Sequence, residues 1–291
     1  MPSGISPSAA DPHEILESGR IFTFENPSFR LTGEDRRFLL ESRSEEIGHH
    51  KNIAFRPLTG RLSGAGKMDA ARVERLRAIL QAYSKWAIET AARLLPRYCG
   101  AWKLDYASLR PLEESGRRLP LKKRNDLLHT DAFPTRPTNG ALILRMFANV
   151  HPTKPRVWKV SDPFESIAPA HADAAGFPSP ARGAGLRRLK RGLRALGLPV
   201  IVRSPYDEFM LRFHDYLKHN AEYQKTCPKY EFVFPPGAAW LVFTDVVPHS
   251  VLSGQLALEQ TFLVSRESLA SPARAPVSVL ERIAGVKLTL P

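Results

Sequence analysis

The sequence predicts an α+β fold with a double-stranded β-helix (jelly-roll, cupin-like) core and flanking helices. Short apolar segments separated by glycine and proline recur between residues 141 and 264, as expected for strands. Stretches with apolar residues three and four positions apart predict helices around them. His129 and Asp131 stand before the first of these strands, and His249 stands before the last. Their wide separation is expected when such residues lie on opposite sheets of a jelly roll.

Composition describes an ordinary folded protein with an unusual charge. With 291 residues and 43% hydrophobic content, the chain can bury a large core. Its 42 Lys and Arg outnumber 29 Asp and Glu, giving a formal net charge of +13. Such a surface attracts polyanions, so the partner classes are nucleic acid, an anionic membrane or a phosphorylated substrate.

The cysteine content and the lengths of the apolar runs indicate the cellular compartment. Two cysteines, Cys99 and Cys227, provide no disulfide framework and fit a reducing environment. The first residues lack the features of a signal peptide, and no apolar run reaches the ~18 residues that span a bilayer. We therefore expect a cytoplasmic protein, either free or resting on a membrane surface.

Few secondary-structure elements are predicted in the first half of the chain, before the His-x-Asp pair. Residues 1–15 are small, polar and proline-bearing, and we expect them to be disordered. One domain is predicted over residues 16–268. Within it, apolar spacing predicts a packing helix over residues 68–97, and alternation predicts a strand over residues 102–109.

The second half supplies most of the predicted sheet. A helix should begin at Ser204, an N-cap followed by proline, and run to about Gln224. Residues 269–291 are predicted as a C-terminal tail with one short helix over 277–283. Strands are predicted over residues 141–148, 156–160, 230–234, 239–244 and 258–264.

Residues 171–204 form a basic insertion of different character. No acidic residue stands between Asp173 and Asp207. Leucines spaced by three and four predict an amphipathic helix of the kind that lies on anionic lipid. The alternative is a helix docked on the body with a solvated basic face. The leucines are Leu186, Leu189, Leu193 and Leu196, and the basic residues are Arg182, Arg187, Arg188, Lys190, Arg191, Arg194 and Arg203.

The His-x-Asp pair is the motif that carries chemistry. Residues two apart on extended backbone point the same way, so the imidazole of His129 and the carboxylate of Asp131 can converge. With His249 they make the two-histidine, one-carboxylate set that holds Fe(II) in non-haem oxygenases. Alone, the pair fits a polar turn with a capping aspartate equally well. The order of strands, turn and final histidine favours the metal interpretation.

Cations cluster around this motif. Arg145 interrupts a predicted strand that should be covered on both faces, and a guanidinium there requires an anion. A basic run immediately before His129 is predicted to bind an anionic substrate at the rim of the site, with a solvated surface as the alternative. The run comprises Arg117, Arg118, Lys122, Lys123 and Arg124.

At this level of detail the sequence resembles the bacterial Kdo hydroxylases, which hydroxylate position 3 of 3-deoxy-D-manno-oct-2-ulosonic acid (Kdo) attached to lipid A. Residues 128–140, 144–150, 156–158 and 248–254 carry the resemblance. It implies Fe(II) as cofactor, held by His129, Asp131 and His249, and 2-oxoglutarate as cosubstrate, converted to succinate and CO2. It also implies lipopolysaccharide modification at the inner face of the inner membrane. Kdo-lipid A is then the expected partner, and no nucleic-acid partner is expected.

One departure from the wider oxygenase pattern concerns the cosubstrate anchor. Many of these enzymes carry a cation about ten residues after the last histidine, where this chain has Glu259, Gln260 and Thr261. Some use a cation on the strand after His-x-Asp, and Arg145 fits that arrangement. Arg266 is the second candidate, and Thr261 or Gln260 would add a neutral hydrogen bond.

Two alternative functions stay open for this sequence. One is another 2-oxoglutarate oxygenase of this fold acting on nucleic acid or protein. The other is a non-enzymatic basic lipid-binding protein, which the intact metal motif disfavours.

No metal-ligand partner is evident for the remaining histidines considered, which are expected to be structural: His49, His50, His151, His214 and His219.

Overall fold

The protein is described from a computed structural model that covers residues 11–24, 29–41, 52–177 and 183–291. It combines helices with two antiparallel sheets, as predicted for the fold class. The strands are β1 Phe22–Phe24, β2 Ile53–Phe55, β3 Leu62–Ser63, β4 Trp102–Arg110, β5 Leu142–Asn149, β6 Arg156–Val160, β7 Tyr230–Phe234, β8 Ala239–Phe243, β9 His249–Ser253 and β10 Ala257–Val264. The helices are α1 Pro12–Glu17, α2 Gly33–Glu41, α3 Ala70–Leu94, α4 Phe164–His171, α5 Ala184–Ala195, α6 Pro205–His219, α7 Ala221–Thr226 and α8 Pro276–Ala284.

The larger sheet has the strand order β1-β8-β5-β10-β4-β2-β3, and the smaller has β7-β6-β9. At the centre of the larger sheet, β5 and β10 pair without a register shift from Leu142 opposite Val264 to Asn149 opposite Ala257. All five predicted strands of the second half form, with shifts of at most one residue at their ends.

Strand β5 is buried along its whole length because both of its faces are covered. On one face Met146 belongs to the main apolar core, and Tyr83 of α3 donates its hydroxyl to the Met146 carbonyl at 2.8 Å. On the other face Phe147 packs with Trp158 of the smaller sheet and Trp240 of β8. The nearly continuous apolar run predicted this covering.

The predicted helix over residues 204–224 is two helices. Asn220 ends α6 and caps α7, its side chain accepting from the Tyr223 backbone N–H at 2.9 Å. The predicted start is confirmed, since Ser204 and Asp207 form a reciprocal capping box. The Asp207 carboxylate also accepts from the backbone N–H groups of Thr138 and Asn139, at 2.8 and 3.1 Å. One carboxylate thus holds α6 to the segment between His129 and β5.

We expect Asp207→Ala to lower the free energy of unfolding by about 2–3 kcal/mol, because a buried charged acceptor leaves several N–H donors unpaired. Urea unfolding followed by circular dichroism measures the change. Asp215→Ala on the same helix is the matched control. It removes one solvent-exposed ion pair, and we expect a change within about 0.5 kcal/mol. Equal effects in the two variants would contradict the tethering role of Asp207.

Both chain ends pack more closely than predicted. Residues 1–10 of the predicted disordered segment lie outside the described residues, but α1 begins at Pro12 and buries Ile15 and Leu16. The predicted C-terminal helix is confirmed as α8. The tail around it is docked, since Leu288 is fully buried and its carbonyl accepts from the Tyr206 N–H at 3.1 Å. Apolar side chains at these positions explain the docking.

The basic insertion contains a helix, α5, where the leucine spacing predicts it. Its leucine face does not pack on the body, since Leu186, Leu189 and Leu196 are 56%, 59% and 80% exposed. Arg187 is instead the buried residue of α5, and its guanidinium lies 3.3 Å from Glu208 of α6. Across the described ranges, the structure contains no helix whose length and apolar character would suffice to cross a bilayer.

Candidate metal centre

Backbone pairing brings the three predicted ligands together. His129 and His249 form an antiparallel bridge, with N–H to carbonyl distances of 3.1 and 2.9 Å in the two directions. The Asp131 N–H donates to the Thr244 carbonyl at 2.8 Å. The nearest ligand atoms of His129, Asp131 and His249 all lie within 4.8 Å of one another. The ligands were predicted on opposite sheets, which is wrong: the bridge makes His129 a neighbour of β9 in the smaller sheet.

The hydrogen bonds of the two histidines leave one nitrogen of each ring for a metal. His129 Nδ1 lies 2.7 Å from the Leu127 carbonyl, and His249 Nδ1 lies 3.2 Å from the Val247 carbonyl. A carbonyl only accepts, so each Nδ1 carries the proton and each Nε2 presents a lone pair. Such orientation by a carbonyl is typical of metal-bound histidines.

The ionisation states also suit a metal. Burial lowers the pKa of His129 well below its ordinary value, with a further contribution from neighbouring His249. Burial likewise lowers the pKa of His249. Burial acts to raise the pKa of Asp131, but Arg145 and the two histidines outweigh it and hold that pKa below its usual range. Two neutral imidazoles and one carboxylate therefore face each other, and this donor set fits Fe(II).

The three residues line a cavity of about 210 Å³. Trp158 stacks on the His249 ring with centroids 5.3 Å apart, and His214 meets the His129 ring edge-on at 4.8 Å. The cavity is rich in positive charge. Its basic lining residues are Arg110 and Arg145 from the larger sheet, Lys122 from a short 3-10 helix and Lys218 from α6.

Arg145 lies in the cavity and contacts Asp131, one of the three candidate ligands. Its Nη2 is 3.0 Å from an Asp131 carboxylate oxygen, and its Nη1 donates to Glu259. Arg110 also donates to Glu259, from Nε at 2.7 Å and Nη2 at 2.5 Å. The anion that a buried guanidinium requires is therefore supplied in part by the protein. The Arg145 Nε–H has no acceptor among the described residues.

The other predicted cosubstrate residues lie in different places. Thr261 is paired with Arg145 across β10 and β5, and its hydroxyl bonds to Glu259 at 3.1 Å. Gln260 points to the opposite face of β10 and accepts from the Ser84 hydroxyl at 2.7 Å. Arg266 lies outside this cavity, with its Nη1 3.0 Å from Glu281. The structure therefore does not bring Gln260 and Arg266 into the cavity with the three candidate ligands.

The predicted basic run contributes one residue to the cavity. Lys122 lines it, and its ammonium group lies 2.8 Å from Asp215. Arg117 and Arg124 are paired with Glu114 at 3.6 Å and Asp126 at 2.5 Å. The two remaining members, Arg118 and Lys123, are exposed and do not line the cavity.

Eight lining residues were not among the predicted site residues: Asn52, Arg110, Asn125, Phe147, Trp158, His214, Lys218 and Val251. His214 was expected to be structural, and it does donate from Nδ1 to the Thr130 carbonyl at 2.7 Å. The signal that could have found it is its spacing from Lys218. Residues four apart share a helical face, so both side chains reach the cavity from α6.

Comparisons with known proteins agree with this chemistry. A family profile described as 3-deoxy-D-manno-oct-2-ulosonic acid (Kdo) hydroxylase matches residues 5–287. The structure is similar to that of the Kdo hydroxylase KdoO, a non-heme Fe(II) alphaketoglutarate dependent dioxygenase, in complex with alphaketoglutarate and Fe(III). The TM-score is 0.83 and the identity 35%, over 95% of this chain and 90% of that chain. KdoO in complex with cobalt(II) is similar with a TM-score of 0.84, at the same identity and coverage. No curated protein matches the sequence.

Proposed function

The chain belongs to the Kdo hydroxylase family, and on that premise we propose that it hydroxylates carbon 3 of a Kdo residue carried on lipid A. It is an Fe(II) and 2-oxoglutarate dependent dioxygenase, with His129, Asp131 and His249 as the residues that would hold the iron. The observation that carries the proposal is this cluster of two oriented imidazoles and one carboxylate at the end of a cationic cavity.

Iron bound here would supply the activation of dioxygen that converts 2-oxoglutarate to succinate and CO2 and places the second oxygen atom on an unactivated carbon. The protein's own part is to hold both reactants and to limit access of water. The burial of His129, His249 and Trp158 around the site serves the second purpose. In overall balance, O2 and 2-oxoglutarate convert the C3 methylene to C3–OH, with succinate and CO2 as the other products.

Arg145 is the residue we assign to the distal carboxylate of 2-oxoglutarate. It lies beside Asp131, and it retains N–H donors that its two protein carboxylates do not use. Arg110 stands next to it through their shared partner Glu259 and adds a second guanidinium. Thr261 supports this pair from the same face of β10 by bonding to Glu259.

The two sheets are proposed as the two halves of a double-stranded β-helix. In that architecture the metal site lies between the sheets at one end. The smaller sheet supplies His249 and its neighbour His129, and the larger sheet supplies Arg110 and Arg145. Residues of both sheets line the cavity, as expected for a double-stranded β-helix.

The membrane surface is proposed as the place of action, at the inner face of the inner membrane. Kdo-lipid A is a carboxylated and phosphorylated glycolipid, so its enzyme needs access to a lipid leaflet. Helix α5 offers exposed leucines together with exposed Arg188, Arg191 and Arg194. This combination of apolar and basic side chains is typical of helices that lie on anionic lipid.

Reversing charge at Arg188, Arg191 and Arg194 should weaken binding to vesicles that contain anionic lipid by at least about tenfold at low salt. Arg187 is left unchanged because it is buried against Glu208. Vesicle cosedimentation at two salt concentrations measures the change, which should shrink as salt rises. Turnover of a soluble Kdo glycoside should stay the same.

The matched control reverses three exposed basic residues elsewhere, Lys67, Lys85 and Arg93 on or beside α3. It should bind vesicles almost as the unaltered protein does. If both triple variants lose the same affinity, the attraction is a property of net charge and α5 is an ordinary surface helix.

The direct test of the activity is succinate formation in the presence of candidate substrates. With Fe(II), ascorbate and 2-oxoglutarate, Kdo-lipid A should stimulate succinate formation, while lipid A lacking Kdo should not. Stimulation by an oligonucleotide or a peptide instead would favour an oxygenase with another substrate. Vesicle binding without any stimulated turnover or iron binding would favour a lipid-binding protein.

A further inference from the structure

Among the four cations that line the cavity, Lys218 is paired differently from the rest. Arg110 and Arg145 share Glu259, and Lys122 lies beside Asp215. Lys218 forms no ion pair with any carboxylate in the described parts of the chain. Its Nζ has one hydrogen bond, donated to the Lys122 carbonyl at 3.1 Å.

An ammonium group in this position is costly without an anion. Lys218 is only 4% exposed, and burial lowers its pKa to about 8, which leaves it mostly charged at neutral pH. An ammonium group has three N–H donors, and the Lys122 carbonyl uses one of them. Buried charges in proteins are normally paired or coordinated, so a buried cation that faces a cavity is poised for an anionic ligand.

Both sheets and a helical segment line the cavity, and Lys218 lies on the helical segment. The larger sheet contributes Arg110 and Arg145, which the proposed function assigns to the cosubstrate. Lys218 lies on α6 beside the short helix that carries Lys122, a side chain exposed to solvent. An anion on a ligand that enters past Lys122 would therefore meet Lys218.

We propose that Lys218 receives the carboxylate of the sugar substrate and so positions the carbon that is oxidised. This inference rests on the proposed function. Kdo carries its carboxylate on C2, the carbon next to C3, so any pose that brings C3 to the metal brings the carboxylate close to it as well. Lys218 stands near enough to Asp131 and His129 to interact electrostatically with both. The substrate class that follows is sugars with a carboxylate adjacent to the reacting carbon.

The test replaces Lys218 by methionine, which keeps the length of the side chain and removes its charge. We expect the Kd of a soluble Kdo glycoside, measured calorimetrically on protein loaded with cobalt(II) and 2-oxoglutarate, to rise on the order of 100-fold. The half-saturating concentration of 2-oxoglutarate should change by less than about twofold. Lys225→Met, an exposed lysine on α7, is the matched control and should change neither value.

A second arm uses the methyl ester of the same glycoside. The unaltered protein should bind the ester about as weakly as Lys218→Met binds the acid. The variant should not distinguish acid from ester, because the carboxylate has lost its partner. A lysine that merely supported the fold would weaken both ligands equally and would lower the melting temperature. We expect Lys218→Met to melt no lower than the control, since an unpaired buried charge has been removed.

The outcomes separate the possibilities. Loss of 2-oxoglutarate affinity in Lys218→Met, with glycoside binding intact, would assign Lys218 to the cosubstrate and overturn the inference. Unchanged binding of both ligands would also overturn it. If the unaltered protein itself failed to bind or hydroxylate any Kdo glycoside, the proposed function would fall first, and the inference with it.

Discussion

Replacing His129, Asp131 or His249 by alanine is expected to abolish turnover while cooperative unfolding is retained. The three side chains are the proposed ligand set, with their nearest atoms within 4.8 Å of one another, and two ligands hold Fe(II) far less well than three. Backbone bonds hold the segment around them, including the two-way bridge between His129 and His249, and alanine preserves these bonds. Loss of activity without loss of the fold is the expected combination.

Succinate formation, iron binding and thermal unfolding would be measured on each variant. His219→Ala is the control, because His219 is an exposed histidine at the end of α6 and does not line the cavity. It should keep full activity. An alanine variant of any of the three ligands that turned over at the unaltered rate would remove the iron assignment.

Arg145→Ala is expected to weaken 2-oxoglutarate binding by about 2–5 kcal/mol, once the stranded carboxylate is counted. This corresponds to roughly 30- to 5000-fold in the half-saturating concentration. A planar guanidinium can meet a carboxylate through two parallel N–H bonds, which an ammonium group cannot reproduce. Arg145→Lys should therefore recover only part of the loss. Because Arg145 also contacts Asp131, we expect iron affinity to fall as well.

Arg266→Ala is the matched comparison for this prediction. Arg266 is paired with Glu281 outside the cavity, so its removal should leave 2-oxoglutarate saturation unchanged. Equilibrium binding of 2-oxoglutarate under anaerobic conditions separates the two variants without turnover. A large effect of Arg266→Ala combined with none of Arg145→Ala would place the anchor at the end of the last strand instead.

The convergence of His129 and Asp131 could be predicted from the sequence because its signal is local. An alternation of two residues sets the direction of His129 and Asp131, whatever else surrounds them. The partner strand of His129 could not be predicted, since pairing with His249 depends on contacts between residues distant in the chain. The ligands were therefore assigned to opposite sheets, although His129 forms a backbone bridge directly to His249 of β9.

Two residues, Gln260 and His214, were assigned without using a local pattern that the sequence contains. Alternation along β10 puts Glu259 and Thr261 on one face and Gln260 on the other, so Gln260 could have been excluded from the cavity. The pair His214 and Lys218 shares a helical face, whereas His214 was compared with His219. Arg110 is a different case. It reaches the cavity because β4 pairs with β10, and nothing near it in the sequence indicates that contact.

In the basic insertion, the helix was predicted from the sequence but the side that packs on the body was not. Leucine spacing over residues 186–196 correctly predicted a helix, which spans Ala184–Ala195, but it did not distinguish Arg187 from the other arginines. Arg187 is buried against Glu208, while Arg188 and Arg191 are exposed. Which side of a helix meets the body depends on the tertiary partner, here α6, and the sequence of the helix does not contain it.

Mass spectrometry of Kdo-lipid A after incubation with the protein, Fe(II), ascorbate and 2-oxoglutarate is the most direct test of the proposed hydroxylation. We expect a product heavier by one oxygen atom, with fragmentation placing the new hydroxyl on C3 of the Kdo residue, and no product when His249→Ala replaces the unaltered protein. Unchanged Kdo-lipid A, or an oxygen atom on the acyl chains, from protein that binds iron and 2-oxoglutarate would contradict it.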